Sequence, residues 1–108
     1  MELNQIKYVI QKENLEKAVK LHNTAENFYR LAFFYEENEQ VLDAEKNYSL
    51  AIYKDLTHYQ SLINLSILYL KKRKWEEAET LLNDARAIKT VNADIEKFYE
   101  IKNRLKEK

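Results

Sequence analysis

A chain of 108 residues with 45% apolar and 33% charged side chains has room for one domain, one continuous core and a well-hydrated exterior. Eighteen basic and eighteen acidic residues cancel, which removes the global field that would draw in nucleic acid or an anionic membrane. Glycine, proline and cysteine are all absent, and this excludes phosphate-cradling loops, nucleophile elbows, dinucleotide turns, disulfides and thiolate metal sites. Tight β-hairpins are disfavoured for the same reason. What remains is an all-α chain of helices joined by short polar turns. No apolar run approaches the roughly 18 residues of a membrane span, and Met1 to Gln5 lack the basic and apolar regions of a secretory signal. The expected compartment is the cytoplasm.

Residues 1–23 carry Leu3, Ile6, Val9, Ile10, Leu15, Ala18, Val19 and Leu21 at helical spacing. They fit one helix, or two meeting near Glu13 and Asn14. Thr24 or Asn23 can cap the next helix, expected over about 25–37, with Glu26 in its first turn to suit the dipole. Asn38 is the expected stop, in the left-handed conformation that Asn tolerates best after glycine. Further helices are expected over about 40–54, 59–72 and 75–88. Thr90 or Asn92 opens a last one over about 93–106. Its apolar residues Ile95, Phe98, Tyr99, Ile101 and Leu105 lie toward one side, as in a helix that closes an array against water.

The segment from Phe28 to Ala51 returns thirty-four residues later as Leu62 to Ala85. Leu31 recurs as Leu65, Tyr35 as Tyr69, Ala44 as Ala78 and Ala51 as Ala85. Phe28, Ala32 and Tyr48 become Leu62, Ser66 and Leu82, so size or apolar character is kept. A fixed period of this length marks each unit as a stacking module. Alanine recurs where two helices would cross, because axes close to about 8 Å only over a small residue. Leu15 and Ala18 repeat the spacing of Tyr48 and Ala51, which makes 1–24 a leading helix or partial repeat. Repeat one is 25–58, repeat two is 59–92, and 93–108 is a capping helix.

These residues resemble the tetratricopeptide repeat family, whose pattern is W-x2-L-G-x2-Y, then A-x3-F, an alanine and a closing proline. Here the pattern reads Phe28, Leu31, Ala32, Tyr35, Ala44, Tyr48, Ala51, and again Leu62, Leu65, Ser66, Tyr69, Ala78, Leu82, Ala85. Ala32 and Ser66 replace the glycine, and Leu56 and Thr90 replace the proline. The resemblance covers 25–92. It implies a short right-handed α-solenoid of about six antiparallel helices, with the first helix of each pair lining a concave groove that holds a peptide or a partner's helix.

On that reading the groove positions are Glu26, Tyr29, Arg30 and Phe33, then Gln60, Ile63, Asn64 and Ile67, then Asp94, Lys97, Phe98 and Ile101. The expected binding residues are Tyr29, Arg30, Phe33, Ile63, Asn64, Ile67, Phe98 and Ile101, a set suited to anchoring apolar side chains. Against this, Phe33, Ile67 and Ile101 could touch one another, or the N-terminal segment could occupy the groove. Family members that grip the acidic C-terminus of heat-shock chaperones use a clamp of Lys, Asn, Asn, Lys and Arg. Asn64 matches one clamp position, but Tyr29, Phe33, Asp94 and Phe98 cannot pair with carboxylates as cations do.

Other clusters carry ordinary readings. The turn Lys71-Lys72-Arg73-Lys74 could be an anion or nucleic-acid patch, but cations at a helix C-terminus complement the dipole. One period earlier the same turn is acidic, Glu37-Asn38-Glu39-Gln40. Lys102, Arg104, Lys106 and Lys108 make a basic end, read as a solvated helix terminus. His22 and His58 each lie where a second helix ends, without the spacing of a metal site, and are read as cations at helix C-termini. Neither a Ser-His-Asp set nor a carboxylate pair stands out, so an enzyme, a cofactor and a metal are not expected. The expected function is a non-enzymatic adaptor or scaffold that binds a protein or peptide partner, with no nucleic acid and no membrane. The alternative is a structural subunit that buries its apolar surface in a homodimer.

Overall fold

A computed structural model describes residues 2–107. The described residues form six α-helices and no strand: α1 (Leu3–Leu21), α2 (Ala25–Glu37), α3 (Val41–Lys54), α4 (Tyr59–Lys71), α5 (Trp75–Ile88) and α6 (Asn92–Lys106). Two compact units result, Met1–Leu56 with α1 to α3 and Thr57–Lys108 with α4 to α6. Lys108 of the basic C-terminal run lies outside the described residues.

In the first unit α1 is one helix, not two. Glu13 and Asn14 are tolerated inside a helix, and no glycine or proline stands near to break it. A reciprocal capping box starts it, with the Glu2 N–H donating to Gln5 Oε1 at 3.0 Å. Its end is fixed by Asn27, whose Nδ2 donates to His22 O at 2.8 Å. Thr24 caps α2 as expected, its Oγ1 accepting from the Asn27 N–H at 3.2 Å. Across the turn, α3 packs back on α2 and buries Leu31, Ala32, Phe34 and Tyr35 against Ala44, Asn47, Tyr48 and Ala51. Ala32, Ala44 and Ala51 keep no exposed surface, which is the close approach that small side chains permit. Tyr48 is equally enclosed, and its hydroxyl donates to Glu36 Oε1 at 2.6 Å. The ring of Tyr8 lies 5.1 Å from that of Phe34, and its hydroxyl donates to Gln40 Oε1 at 2.6 Å, which seats α1 on this pair.

The second unit repeats the plan. α4 packs on α5 and on α6, and nine of its residues are buried, from Tyr59 to Leu70. Ser66, in place of the small residue Ala32, has no exposed surface, and its hydroxyl donates to Ile63 O at 2.6 Å. Ala78, Leu82 and Ala85 of α5 are fully enclosed, matching Ala44, Tyr48 and Ala51. Three expectations about helix ends need correction. His58 does not end α3, which stops at Lys54; it is the N-cap of α4, with Nδ1 toward the Ser61 N–H at 3.4 Å and 2.9 Å from Ser61 Oγ. Neither Thr90 nor Asn92 caps α6: Val91 holds that position without a side-chain acceptor, and Asn92 is already helical. Asn38 is not left-handed; the residue after it, Glu39, is, with φ 59°. Asn38 instead turns its Nδ2 back to Phe34 O at 2.8 Å, so its amide closes the helix from within.

The two inter-helix turns match bond for bond. The Gln40 and Lys74 N–H groups donate to Tyr35 O and Tyr69 O, each at 2.9 Å. Glu39 N–H donates to Glu36 O at 3.0 Å and Arg73 N–H to Leu70 O at 2.9 Å. Arg73 has φ 60°. At the other end of the hairpin, the N–H groups of His22, Asp55 and Lys89 donate to the carbonyls of Ala18, Ala51 and Ala85.

Candidate functional site

Of the expected groove residues, three come together at an opening. Tyr29 and Phe33 lie one turn apart on α2 with rings stacked at 6.2 Å, and Tyr29 meets Tyr48 of α3 at 6.0 Å. Phe33 keeps 42% of its surface exposed despite being a large apolar residue. Arg30 reaches Glu26 Oε1 at 3.4 Å, a long and well-exposed pair that holds the guanidinium only loosely. Together with Gln11, Asn14 and Leu15 of α1, and Phe34 and Glu37 of α2, these three residues line a pocket of about 410 Å³. That volume lies in the range of sites that take a bulky side chain or a small ligand. Its floor is aromatic and aliphatic, and Arg30 and Glu37 offer charge of both signs.

The expected binding residues include none from α1, whose Gln11, Asn14 and Leu15 form the other side of this pocket. Leu15 and Ala18 have the spacing of Tyr48 and Ala51, and a residue in the place of Tyr48 faces the first helix of the pair beside it. That signal could have placed Gln11 and Asn14, one turn and one residue before Leu15, at the same opening.

In the second unit the expected residues are differently disposed. Ile63 and Ile67 are 5% and 6% exposed and Phe98 is fully enclosed, its ring edge-on to Tyr99 at 5.1 Å. Asn64 and Ile101 are half-buried, while Gln60 and Lys97 are exposed. The expectation treated α4 as packed along one stripe. In fact α4 buries side chains on nearly every side, so positions left over by the packing pattern are enclosed as well. Asp94 is engaged by Tyr59, whose hydroxyl donates to Oδ2 at 2.7 Å. Burial first, and then this bond to a carboxylate, push the Tyr59 phenol up to about 12.

A second polar cluster ties α5 to α6. Glu79 accepts from the Lys102 ammonium and, at 3.1 Å, from the Tyr99 hydroxyl. Burial works to raise the Glu79 carboxyl, but the two donors and the nearby ammonium charges outweigh it and hold the group below its ordinary value. Among the described residues no group of three or more His, Asp or Glu could hold a metal ion, and no helix is long and apolar enough to cross a membrane.

One further surface is apolar. α1 buries none of its residues fully, and Leu3 and Ile10 keep 65% and 53% of their surface exposed, with Ile6 and Val9 beside them. No protein-family model matches the chain, and no curated protein matches it.

Proposed function

We propose that this chain is a short tetratricopeptide-like solenoid that acts as a cytoplasmic, non-enzymatic adaptor, binding a peptide or helix of a protein partner. The repeat reading draws support from the two turns that match bond for bond thirty-four residues apart and from the enclosed small residues at equivalent places. The pocket between α1 and α2 is the observation that carries the binding reading. It offers Phe33, Tyr29 and Leu15 to an apolar anchor and Arg30 to a polar neighbour, the composition of a helix-in-groove or peptide site. Ile63, Ile67 and Phe98 then serve as the support behind the groove and not as its surface.

The test is selection of peptides from a random library on the intact chain, followed by titration of the winners against Phe33→Glu. Binding should fall by roughly tenfold or more, since a buried charge replaces an apolar anchor, while the far-ultraviolet dichroism stays helical. Winners that bind the variant as well as the parent would move the site elsewhere.

The exposed face of α1 favours a second reading, a self-associating structural subunit. Sedimentation velocity over a wide concentration range separates the two. A concentration-dependent dimer lost in Ile6→Lys/Ile10→Lys would place the structural reading first; a monomer throughout would remove it.

A further inference from the structure

In the sequence the basic turn Lys71-Lys72-Arg73-Lys74 and the basic end of α6 are separate runs. The fold joins them. Arg73 Nη1 donates to Leu105 O at 2.8 Å, so the turn leaving α4 closes the C-terminus of α6. The Arg73 guanidinium and the Lys106 ammonium both lie against the ring of Trp75, at 5.9 Å and 5.4 Å from its centre. Lys74 sits 5.4 Å from the ring of Tyr69. Aromatic faces thus hold three cations in fixed places at one end of the second unit.

Three cations of the chain pair with acids: Lys102 with Glu79, Arg104 with Glu100 and Arg30 with Glu26. Among the described residues, Lys71, Arg73, Lys74 and Lys106 have no carboxylate at ion-pair distance. Lys106 feels the Glu79 carboxylate through space and Glu76 and Glu77 follow the turn, but none of them pairs with these cations. Like charges gathered in one place repel one another, and an external anion relieves that repulsion. Three of the four, Arg73, Lys74 and Lys106, already rest on rings, so binding costs them less rotamer entropy than it would free side chains.

We propose that this end of the second unit is a docking surface for an acidic segment of a protein partner, rich in aspartate or glutamate, separate from the pocket between α1 and α2. Nucleic acid fits less well. Two cations share the face area of Trp75, which leaves the ring unsuited to stack on a base. Glu76 and Glu77, in the first turn of α5, stand beside the turn and would oppose a continuous phosphate backbone. Carboxylates on a peptide can be spaced to avoid them.

Trp75 is the single tryptophan of the chain, so its emission reads this surface directly. Titration of the full chain with a short oligoglutamate peptide should give a saturable change in emission that fades as salt is added. Lys71→Glu/Lys106→Glu should weaken it roughly tenfold or more, because like-charge contacts replace attractive ones, with helicity unchanged. Lys71→Glu alone, away from the tryptophan contacts, should weaken it in the same direction and guards against a folding defect in the double variant. No saturable response, or an equal response in both variants, overturns the proposal. A single-stranded oligonucleotide that binds more tightly than the peptide overturns the choice of partner. An emission change that follows protein concentration alone would assign the surface to a second copy, and also overturns it.

Discussion

The Tyr59 hydroxyl lies 2.7 Å from Asp94 Oδ2, so the first residue of α4 is tied to the first turn of α6. The ring that makes this bond is buried, and the Lys89 ammonium rests over it at 4.5 Å. Val91 gives α6 no side-chain cap, and the Tyr59 bond orients the acid of that first turn toward the body of the unit.

Tyr59→Phe should therefore cost about 1–2 kcal/mol at neutral pH, the worth of a hydrogen bond to a charged acceptor. The alkaline limb supplies a second reading of the same contact. An unfolded tyrosine releases its proton near 10.0, whereas Tyr59 holds it to about 12. The folded group is the one raised, so its contribution is complete below pH 10 and is lost as pH climbs through about 12. Thermal melts of the wild type should fall in that window more steeply than those of the Phe variant. Parallel curves would mean that the bond does not form in solution.

Glu79 gives the opposite limb. Its carboxyl is lowered by Lys102 and Tyr99 against the pull of burial, so its contribution is present above the ordinary value of 4.5 and is lost as pH falls through the folded value beneath it. Glu79→Gln should cost about 1 kcal/mol at neutral pH, discounted for partial exposure, and should blunt the acid-induced loss of stability. Chemical denaturation at two pH values checks both parts.

Ala44 and Ala78 stand at equivalent helix crossings and keep no exposed surface. Leucine at either place must force the helices apart or push its side chain off rotamer, at roughly 1–3 kcal/mol. Ala44→Leu and Ala78→Leu should each lower the melting temperature. Unchanged melting in both variants would contradict the close crossing.

His58 caps α4 through Nδ1, facing both the Ser61 N–H and the Ser61 hydroxyl. His58→Ala should cost about 0.5–2 kcal/mol, the range for losing an N-cap side chain, and His58→Asn should recover most of it. Calorimetry on the three proteins decides the matter.

Much of the fold was legible because the helices are long and their punctuation is polar. Thr24 announced α2, and the recurrence of Leu31, Tyr35, Ala44 and Ala51 located the crossings that the structure encloses. The ends were harder, since they depend on side-chain geometry that residue type alone does not fix. His58 suits either end of a helix, and which end it serves was decided by Ser61, three residues on. The candidate site was legible only on its α2 side. Phe33 lies open and Phe98 is enclosed, although both are aromatic residues at leftover positions. Spacing along one helix says which residues share a face, but how many neighbours cover that face is a tertiary fact. The joining of Lys106 to the turn at Arg73 was invisible for the same reason.

Both inter-helix turns put a left-handed backbone on a charged residue, Glu39 in one and Arg73 in the other. A residue with a Cβ pays roughly 1–2 kcal/mol for that conformation where glycine would not. The chain therefore carries a small reserve of unrealised stability at each apex, in return for a side chain that glycine could not supply. The main-chain bonds of the bend are the same in both turns although the side chains at the apex differ in sign. The backbone of such a bend therefore accepts either sign at its apex, while the side chain it carries is free to take on a task of its own, as Arg73 does at Leu105 O.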